Sequence, residues 1–164
     1  MTTRLPAGVS PWRPDALIAT GLGTGFLPIA PGTWGSAATL PLGWVLYLAG
    51  GAVAVAAGAG VAFLVGWWAS ASLIRTGGAQ DPGYIVIDEV AGQLLALAVV
   101  PANPWLYLVA FLGFRLADIV KPWPAGWADR TVKGGLGIML DDVLAALYVA
   151  IILYGVVAYL GMTP

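Results

Sequence analysis

The sequence predicts an all-α, polytopic membrane helical bundle of about five transmembrane helices, preceded by a re-entrant or interfacial N-terminal segment. Of the 164 residues, 60% are hydrophobic and 9% are charged, whereas soluble domains carry about 25% charged residues. The mean hydropathy is +0.88, and long stretches contain no charge. A chain of this length is typical of one domain, so residues 1–164 are interpreted as a single membrane-embedded unit.

The first two helices come from the charge-free stretch of residues 16–74. From Ser36 onwards this stretch would form one helix of about 58 Å, nearly twice a hydrocarbon core of ~30 Å. The Gly50-Gly51 pair therefore predicts a turn within residues 48–52. One helix runs from about Ser36 to this turn, and a second runs from the turn to about Ile74.

A second hairpin and a final span complete the bundle. The Pro-Ala-Asn-Pro sequence of residues 101–104 predicts a turn. Its arms, residues 83–100 and 104–120, are each just long enough to cross a bilayer, and residues 143–164 form the fifth crossing. The glycine-rich residues 16–31 are interpreted as the re-entrant or interfacial segment, because non-helical backbone at that depth must be buried in protein or water.

This topology places every charged segment on one side of the membrane. By the positive-inside rule, the side that holds the Lys and Arg residues is cytoplasmic. The charged residues are Arg4, Arg13, Asp15, Arg75, Asp81, Asp88, Glu89, Arg115, Asp118, Lys121, Asp129, Arg130, Lys133, Asp141 and Asp142.

The residue types exclude several classes of chemistry. The chain contains no Cys and no His, which excludes disulfides, thiolate or imidazole metal ligands, Cys nucleophiles and His-dependent hydrolysis. The net charge of -1 gives no electrostatic reason to expect a nucleic-acid partner. Catalysis would have to use carboxylates, cations, hydroxyls and backbone groups, and a lipid bilayer is the expected partner.

Three charged clusters are expected to meet at the cytoplasmic face. The Asp88-Glu89 pair opens the third helix, the Asp141-Asp142 pair opens the last helix, and a broad face of the fourth helix carries Arg115, Asp118 and Lys121. Charges in or near membrane helices usually indicate function. The structural alternative is that the acids complement helix dipoles while Arg115 and Asp118 form an internal ion pair.

Paired carboxylates from two helices are suitable ligands for Mg²⁺. The substrate phosphate and water would complete the octahedral coordination of the ion. Neighbouring residues differ by about 100° around a helix, so one acid of each pair could ligate while the other acts as a base or supports it. The glycines that follow Lys133 could expose backbone N–H groups to a phosphate, with Arg130 nearby. Thr33 or Ser36 could cap the first long helix or contact phosphate.

Four motifs together resemble the phosphatidylglycerophosphatase A family. They are GTGFLPIAPGTWGS from Gly23, IVIDEVAGQ from Ile85, FRLADIVKPWPAGWADR from Phe114 and KGGLGIMLDDVLA from Lys133. Their order extends the resemblance over about nine-tenths of the chain. The resemblance implies a multi-pass, Mg²⁺-dependent phosphatase of the bacterial inner membrane, with its active site on the cytoplasmic side. It would convert phosphatidylglycerophosphate to phosphatidylglycerol in phospholipid biosynthesis.

The sequence hypothesis assigns these residues three roles. The metal ligands for one or two Mg²⁺ are Asp88, Glu89, Asp141 and Asp142; the substrate-binding residues are Arg115, Lys121, Arg130, Lys133, Gly134, Gly135 and Thr33; the catalytic residues are Asp118 and Asp142. Positioning and charge neutralisation are the main requirements of phosphoryl transfer. Water activated by the metal would attack phosphorus, with Asp118 as base or orienting group.

Three alternatives stay open at this stage. One aspartate could be the nucleophile and form an aspartyl-phosphate, although the haloacid-dehalogenase signature is absent. A phosphatidyltransferase would also use Mg²⁺ and acids in a membrane bundle, but the expected DGxxAR and DxxxD motifs are missing. A non-enzymatic transporter or scaffold would place its charges at mid-span instead of at one face. The oligomeric state is left open.

Overall fold

A computed structural model describes residues 5–77 and 82–164, and these residues form an all-α structure as predicted. The helices are α1 (Pro14–Ala19), α2 (Pro31–Gly77), α3 (Ile87–Leu97), α4 (Pro104–Val120), α5 (Ala125–Thr131) and α6 (Gly134–Tyr159), with a short 3-10 turn at Thr24–Phe26. Two of the charged residues, Arg4 and Asp81, lie outside the described residues.

Helix α2 is a hairpin of two helical arms. Its backbone leaves the helical conformation at Gly50 (φ -166°, ψ 24°) and Gly51 (φ 64°, ψ -158°). The arms then pack on each other, because a Cβ added at Gly58 would lie 2.7 Å from Leu46 Cδ1. The predicted turn within residues 48–52 is therefore confirmed. The first arm is residues 31–49 and the second is residues 52–77.

The predicted cap of this first arm is wrong. The helix begins at Pro31, so Thr33 and Ser36 both lie inside it and neither can be its N-cap. Proline suits the first helical position, since its missing N–H would have no partner there and its φ is already helical.

The α3–α4 hairpin also has the predicted turn. The Asn103 side chain accepts hydrogen bonds from the backbone N–H groups of Trp105 (2.9 Å) and Leu106 (3.2 Å), and Pro104 takes the first helical position. The predicted arm 83–100 is too long, however, because α3 covers Ile87–Leu97, a length of about 16 Å. The chain before α3 packs on α1 instead, and the Val86 N–H donates to the Ala19 carbonyl at 2.8 Å.

Helix α6 begins two turns earlier than predicted. It spans Gly134–Tyr159, so Asp141 and Asp142 lie well inside the helix instead of opening it, and the glycine run forms its first turn. Glycine is a poor helix former, but here close packing requires it: a Cβ at Gly135 would lie 2.9 Å from the Trp67 carbonyl oxygen. This tertiary contact explains why local propensity misplaced the boundary.

The glycine-rich segment before α2 forms a compact cap. It contains α1, of six residues, and the 3-10 turn. The buried Asp15 ties α1 to the second arm of α2, accepting hydrogen bonds from Ser72 Oγ (2.6 Å) and Arg13 Nη2 (2.7 Å). Burial raises the pKa of Asp15, but these hydrogen bonds outweigh it and hold the pKa below its ordinary value.

Small residues let the central helices approach closely. Within the second arm of α2, a Cβ at Gly66 would lie 2.8 Å from Met139 Cε and 2.9 Å from Ile87 Cγ1, so this glycine admits both α6 and α3. The core then forms from large side chains of α3, α4 and α6, including Leu94, Leu97, Phe114 and Val149. Helix α3 is therefore buried among its neighbours.

The outer surface of the bundle is apolar. Large hydrophobic side chains such as Val61, Leu64, Ile151 and Tyr159 are exposed. Within the described ranges 5–77 and 82–164, α2 and α6 are the helices long and apolar enough to cross a membrane. These features indicate membrane association.

The turn of α2 leads to a stability prediction. Gly51 has a positive φ and no atom within 4 Å of an added Cβ, so Gly51→Ala is penalised by the backbone alone. We expect this variant to lower the free energy of unfolding by about 1–3 kcal/mol, measured by denaturant unfolding in detergent. The matched control is Gly60→Ala, which also meets open space but lies in regular helix. Equal stability of the two variants would contradict the assigned turn.

Candidate active site

Three carboxylates converge where α3 meets α6. Asp88 and Glu89 stand in the first turn of α3, and Asp142 approaches from α6. One carboxylate oxygen from each lies within 4.8 Å of the others. Among the residues that the structure describes, the buried atoms Glu89 Oε2 and Asp142 Oδ2 have no hydrogen-bond partner. Clustered carboxylates with unpaired buried oxygens are suitable ligands for a hard divalent cation, so this acidic triad could bind a metal.

Helix α4 presents one polar face to the triad. Arg115 Nη1 lies 2.9 Å from Asp118 Oδ2 and 3.7 Å from Glu89 Oε1. The same nitrogen donates to Ser36 Oγ at 3.4 Å. The internal ion pair considered from the sequence therefore exists, but Arg115 also bridges three helices at the triad. The predicted shared face of Arg115, Asp118 and Lys121 is confirmed, since all three line one cavity.

Lys121 links α4 to α5 and α6. It ends α4 in the left-handed conformation (φ 47°, ψ 61°), which directs the chain into α5. Its Nζ contacts Asp129 Oδ1 at 2.9 Å and also forms an ion pair with Asp141. Asp141 and Asp142 therefore have different surroundings, because adjacent helical residues point about 100° apart. Asp142 joins the triad, whereas Asp141 pairs with Lys121.

The polar side chains surround a cavity of about 310 Å³. The charged residues that line it are Asp88, Glu89, Arg115, Asp118, Lys121, Asp129, Lys133, Asp141 and Asp142. In the described part of the chain, the lining thus has six acids against three cations. A phosphate dianion would be repelled by this excess of negative charge unless a cation first offset it.

The start of α2, with Ala30 just before it, forms part of the cavity wall. Ala30, Pro31 and Gly32 line the cavity, and a Cβ at Gly32 would overlap Glu89 Oε1. Glycine at this position therefore lets α2 approach the Glu89 carboxylate. The sequence hypothesis chose the neighbouring Thr33 and missed Gly32, although the run of small residues around it was a usable signal.

Three of the predicted substrate-binding residues do not line the cavity. Thr33 is partly buried in α2, Gly135 packs against the second arm of α2, and Arg130 is exposed on α5. Lys133 and Gly134 do line it, at the start of α6. The sequence hypothesis also missed Asp129, since nothing in its spacing indicates that it would reach Lys121 across the α4–α5 connection.

Comparisons with known proteins find similar sequences over most of the chain. The family described as Phosphatidylglycerophosphatase A matches residues 17–157. A protein of that name from Escherichia coli is 39% identical over 88% of this chain and 83% of its own length, and one from Haemophilus influenzae is 38% identical over 90% and 91%. A Bacteroides thetaiotaomicron protein, named as a candidate phosphatidylinositol-3-phosphatase, is 37% identical over 80% and 86%. No solved structure matches the chain.

The separate surroundings of Asp141 and Asp142 lead to a metal-binding prediction. We expect Mg²⁺ to stabilise the purified protein, since a ligand at about 100 times its Kd adds about 2.7 kcal/mol to the free energy of unfolding. Asp142→Asn should remove this stabilisation because it removes a triad ligand. Asp141→Asn is the matched variant and should retain most of it. Thermal unfolding, followed by tryptophan fluorescence with and without Mg²⁺, measures the stabilisation of each variant. Stabilisation that is retained in Asp142→Asn and lost in Asp141→Asn would contradict the triad.

Proposed function

The chain belongs to the phosphatidylglycerophosphatase A family, and from this premise we infer that it hydrolyses the terminal phosphate of phosphatidylglycerophosphate to give phosphatidylglycerol. It is thus a phosphoric monoester hydrolase of phospholipid biosynthesis. The match over residues 17–157 carries this conclusion, and the three clustered carboxylates beside Arg115, Lys121 and Lys133 fit it chemically. Family membership favours hydrolysis over the phosphatidyltransferase and transporter alternatives.

We propose that Asp88, Glu89 and Asp142 hold Mg²⁺. The unpaired oxygens of Glu89 and Asp142 and the mutual distances of the three carboxylates support this assignment. When bound, the cation would polarise the phosphate oxygens and favour deprotonation of the attacking water. Asp141, the fourth acid of the sequence hypothesis, would instead hold Lys121 in the cavity through their ion pair.

The cations of the cavity would hold the substrate phosphate. Arg115 contacts Glu89 of the triad, Lys121 lines the same cavity from the end of α4, and Lys133 is exposed at the rim. We propose that Arg115 and Lys121 bind the phosphate oxygens and that Lys133, with the backbone of Gly134, guides the phosphate inwards. Arg130, exposed on α5, would attract the anionic head group from outside the cavity.

Asp118 is the proposed general base. It lines the cavity outside the triad, and the ion pair with Arg115 at 2.9 Å fixes one of its oxygens. In this position Asp118 would orient the attacking water and accept its proton as the water oxygen bonds to phosphorus and the bond from phosphorus to the lipid oxygen breaks. The proton would then pass to that lipid oxygen, which leaves as the free hydroxyl.

We propose that the bundle crosses the bacterial inner membrane five times, with the cavity at the cytoplasmic face. The passes are the two arms of α2, the short α3, α4 and α6. Helix α3 is shorter than a bilayer core of ~30 Å, but it is enclosed by its neighbours and need not meet lipid along its length. A phosphate site at helix ends lets a lipid present its head group while its acyl chains stay in the membrane.

The activity itself gives a direct test. Purified protein should release phosphate from phosphatidylglycerophosphate only when Mg²⁺ is present, and the phosphate esters of soluble alcohols should be poor substrates. We expect Glu89→Gln and Asp142→Asn to lower kcat at least about 100-fold, since each removes charge stabilisation from the transition state. The comparison variant Asp129→Asn, an equivalent carboxamide change at the cavity rim, should lower kcat less than about tenfold.

Near wild-type turnover by both triad variants would contradict the metal assignment. Phosphatidylinositol 3-phosphate, the lipid class in the name of the Bacteroides relative, should be assayed beside phosphatidylglycerophosphate. A higher kcat/KM for the inositol lipid would contradict the proposed head group while leaving lipid phosphate hydrolysis intact.

The identity of the nucleophile has its own test. With Asp118 as base, water attacks phosphorus directly and no phosphorylated protein forms during turnover. A single turnover with excess enzyme, quenched in acid, should therefore leave the peptides that contain Asp88, Asp118 and Asp142 without added phosphate when they are examined by mass spectrometry. A phosphorylated aspartate that forms and decays at the rate of turnover would instead establish an aspartyl-phosphate route.

A further inference from the structure

An apolar groove runs along the outer seam between α4 and α6. It encloses about 430 Å³ and is lined on α4 by Val109, Leu116 and Val120 and on α6 by Tyr148 and Ile152. Among the described lining residues, the Tyr148 hydroxyl is the one polar side-chain group, and it donates to the Trp123 carbonyl instead of opening into the groove. The groove thus offers apolar contacts and no group that would recognise a polar ligand.

The groove adjoins the polar cavity. Val120 and Pro122 line the groove, and Lys121 between them lines the cavity. On α6, Asp141, Tyr148 and Ile152 follow one another at spacings of seven and four residues, which places them on one face. The Lys121–Asp141 ion pair therefore stands where the polar cavity ends and the apolar groove begins.

The dimensions of the groove fit one leaflet. From Val120 to Val109 the α4 wall is about 16 Å long, close to half of a ~30 Å hydrocarbon core. Its floor is formed where Gly113 lets α4 pack closely on α6, since a Cβ there would lie 3.2 Å from Val149 Cγ1. A slot of this length with an apolar lining matches a single extended hydrocarbon chain.

Resting on the proposed function, we propose that this groove binds one acyl chain of the lipid substrate while its phosphate lies in the cavity. The polar head group would cross the Lys121–Asp141 boundary, and the chain would pack between α4 and α6. Lipid tails are as apolar as leucine side chains, so moving an acyl chain from the bilayer into the groove gains no hydrophobic free energy. The groove would favour the chain through closer packing contacts instead. A moderate effect on specificity is therefore expected.

Two matched pairs of exposed residues allow a controlled test. Ile152 lines the groove and is 64% exposed, whereas its neighbour Ile151 does not line the groove and is 71% exposed. On α4, Leu116 lines the groove at 65% exposure, and Leu112, one turn away, lies outside it at 56%. Tryptophan at Ile152 or Leu116 would obstruct the groove, and tryptophan at Ile151 or Leu112 adds the same bulk elsewhere.

The experiment compares chain lengths. For each purified variant in mixed micelles at fixed surface concentration, kcat/KM is measured for dipalmitoyl and dihexanoyl phosphatidylglycerophosphate. We expect Ile152→Trp and Leu116→Trp to lower the long-chain to short-chain ratio of kcat/KM roughly three- to tenfold, which corresponds to about 0.7–1.4 kcal/mol of lost packing contacts. The controls Ile151→Trp and Leu112→Trp should keep the wild-type ratio.

Several results would overturn this inference. The ratio could stay unchanged in the groove variants, or fall equally in the controls, which would indicate a general effect of the lipid-facing surface. If the groove variants instead convert a dimer to a monomer without changing the ratio, the groove holds a second copy of the chain. Wild-type protein that releases no phosphate from either lipid would refute the proposed function itself, whereas release with an unchanged ratio refutes the acyl site alone.

Discussion

Excess negative charge at the meeting point of α3, α4 and α6 governs what this protein can bind. At an effective dielectric constant of about 20, each pair of ionised carboxylates at this spacing repels by roughly 3 kcal/mol. Arg115 and Lys121 relieve part of this repulsion, but buried oxygens of Glu89 and Asp142 have no partner in the described part of the chain. A divalent cation would satisfy those oxygens and also make the cavity attractive to phosphate, so the fold and its proposed chemistry depend on the same electrostatic constraint.

The rest of the architecture holds these charges in place within an apolar bundle. Gly66 lets α2, α3 and α6 approach closely, Gly32 lets the start of α2 reach Glu89, and the Asp15–Ser72 contact fastens the cap that precedes α2. The exposed outer side chains are apolar, while the polar groups gather at one cavity. This division suits a substrate with a charged head group and hydrocarbon chains.

Much of this could be predicted from the sequence because the charges are few and unevenly spaced. The two hairpin turns follow from the Gly50-Gly51 pair and the prolines around Asn103, and the convergence of Asp88, Glu89 and Asp142 follows from the topology that those turns impose. The start of α6 was mispredicted because glycines favour loops locally but are needed in a helix that packs tightly against α2. The short α3 was missed for a similar reason, since contacts with α1 hold the preceding residues.

Side-chain partners within the site were harder to predict than its members. Sequence spacing could separate Asp141 from Asp142 by about 100°, but it could not show which one faced Lys121. The contribution of Asp129 depends on how the left-handed Lys121 turns the chain into α5, and no local pattern encodes that path. Family resemblance supplied the reaction, and the structure assigned different surroundings to neighbouring acids.

The most direct test of the account is a crystal structure with Mn²⁺ in place of Mg²⁺, in which anomalous scattering locates the cation. We expect a peak about 2.1 Å from carboxylate oxygens of both α3 and α6, with Asp88, Glu89 and Asp142 as its protein ligands. A peak bound to Asp129 and Asp141 alone, or acids of α3 and α6 too far apart to share one cation, would contradict the central claim.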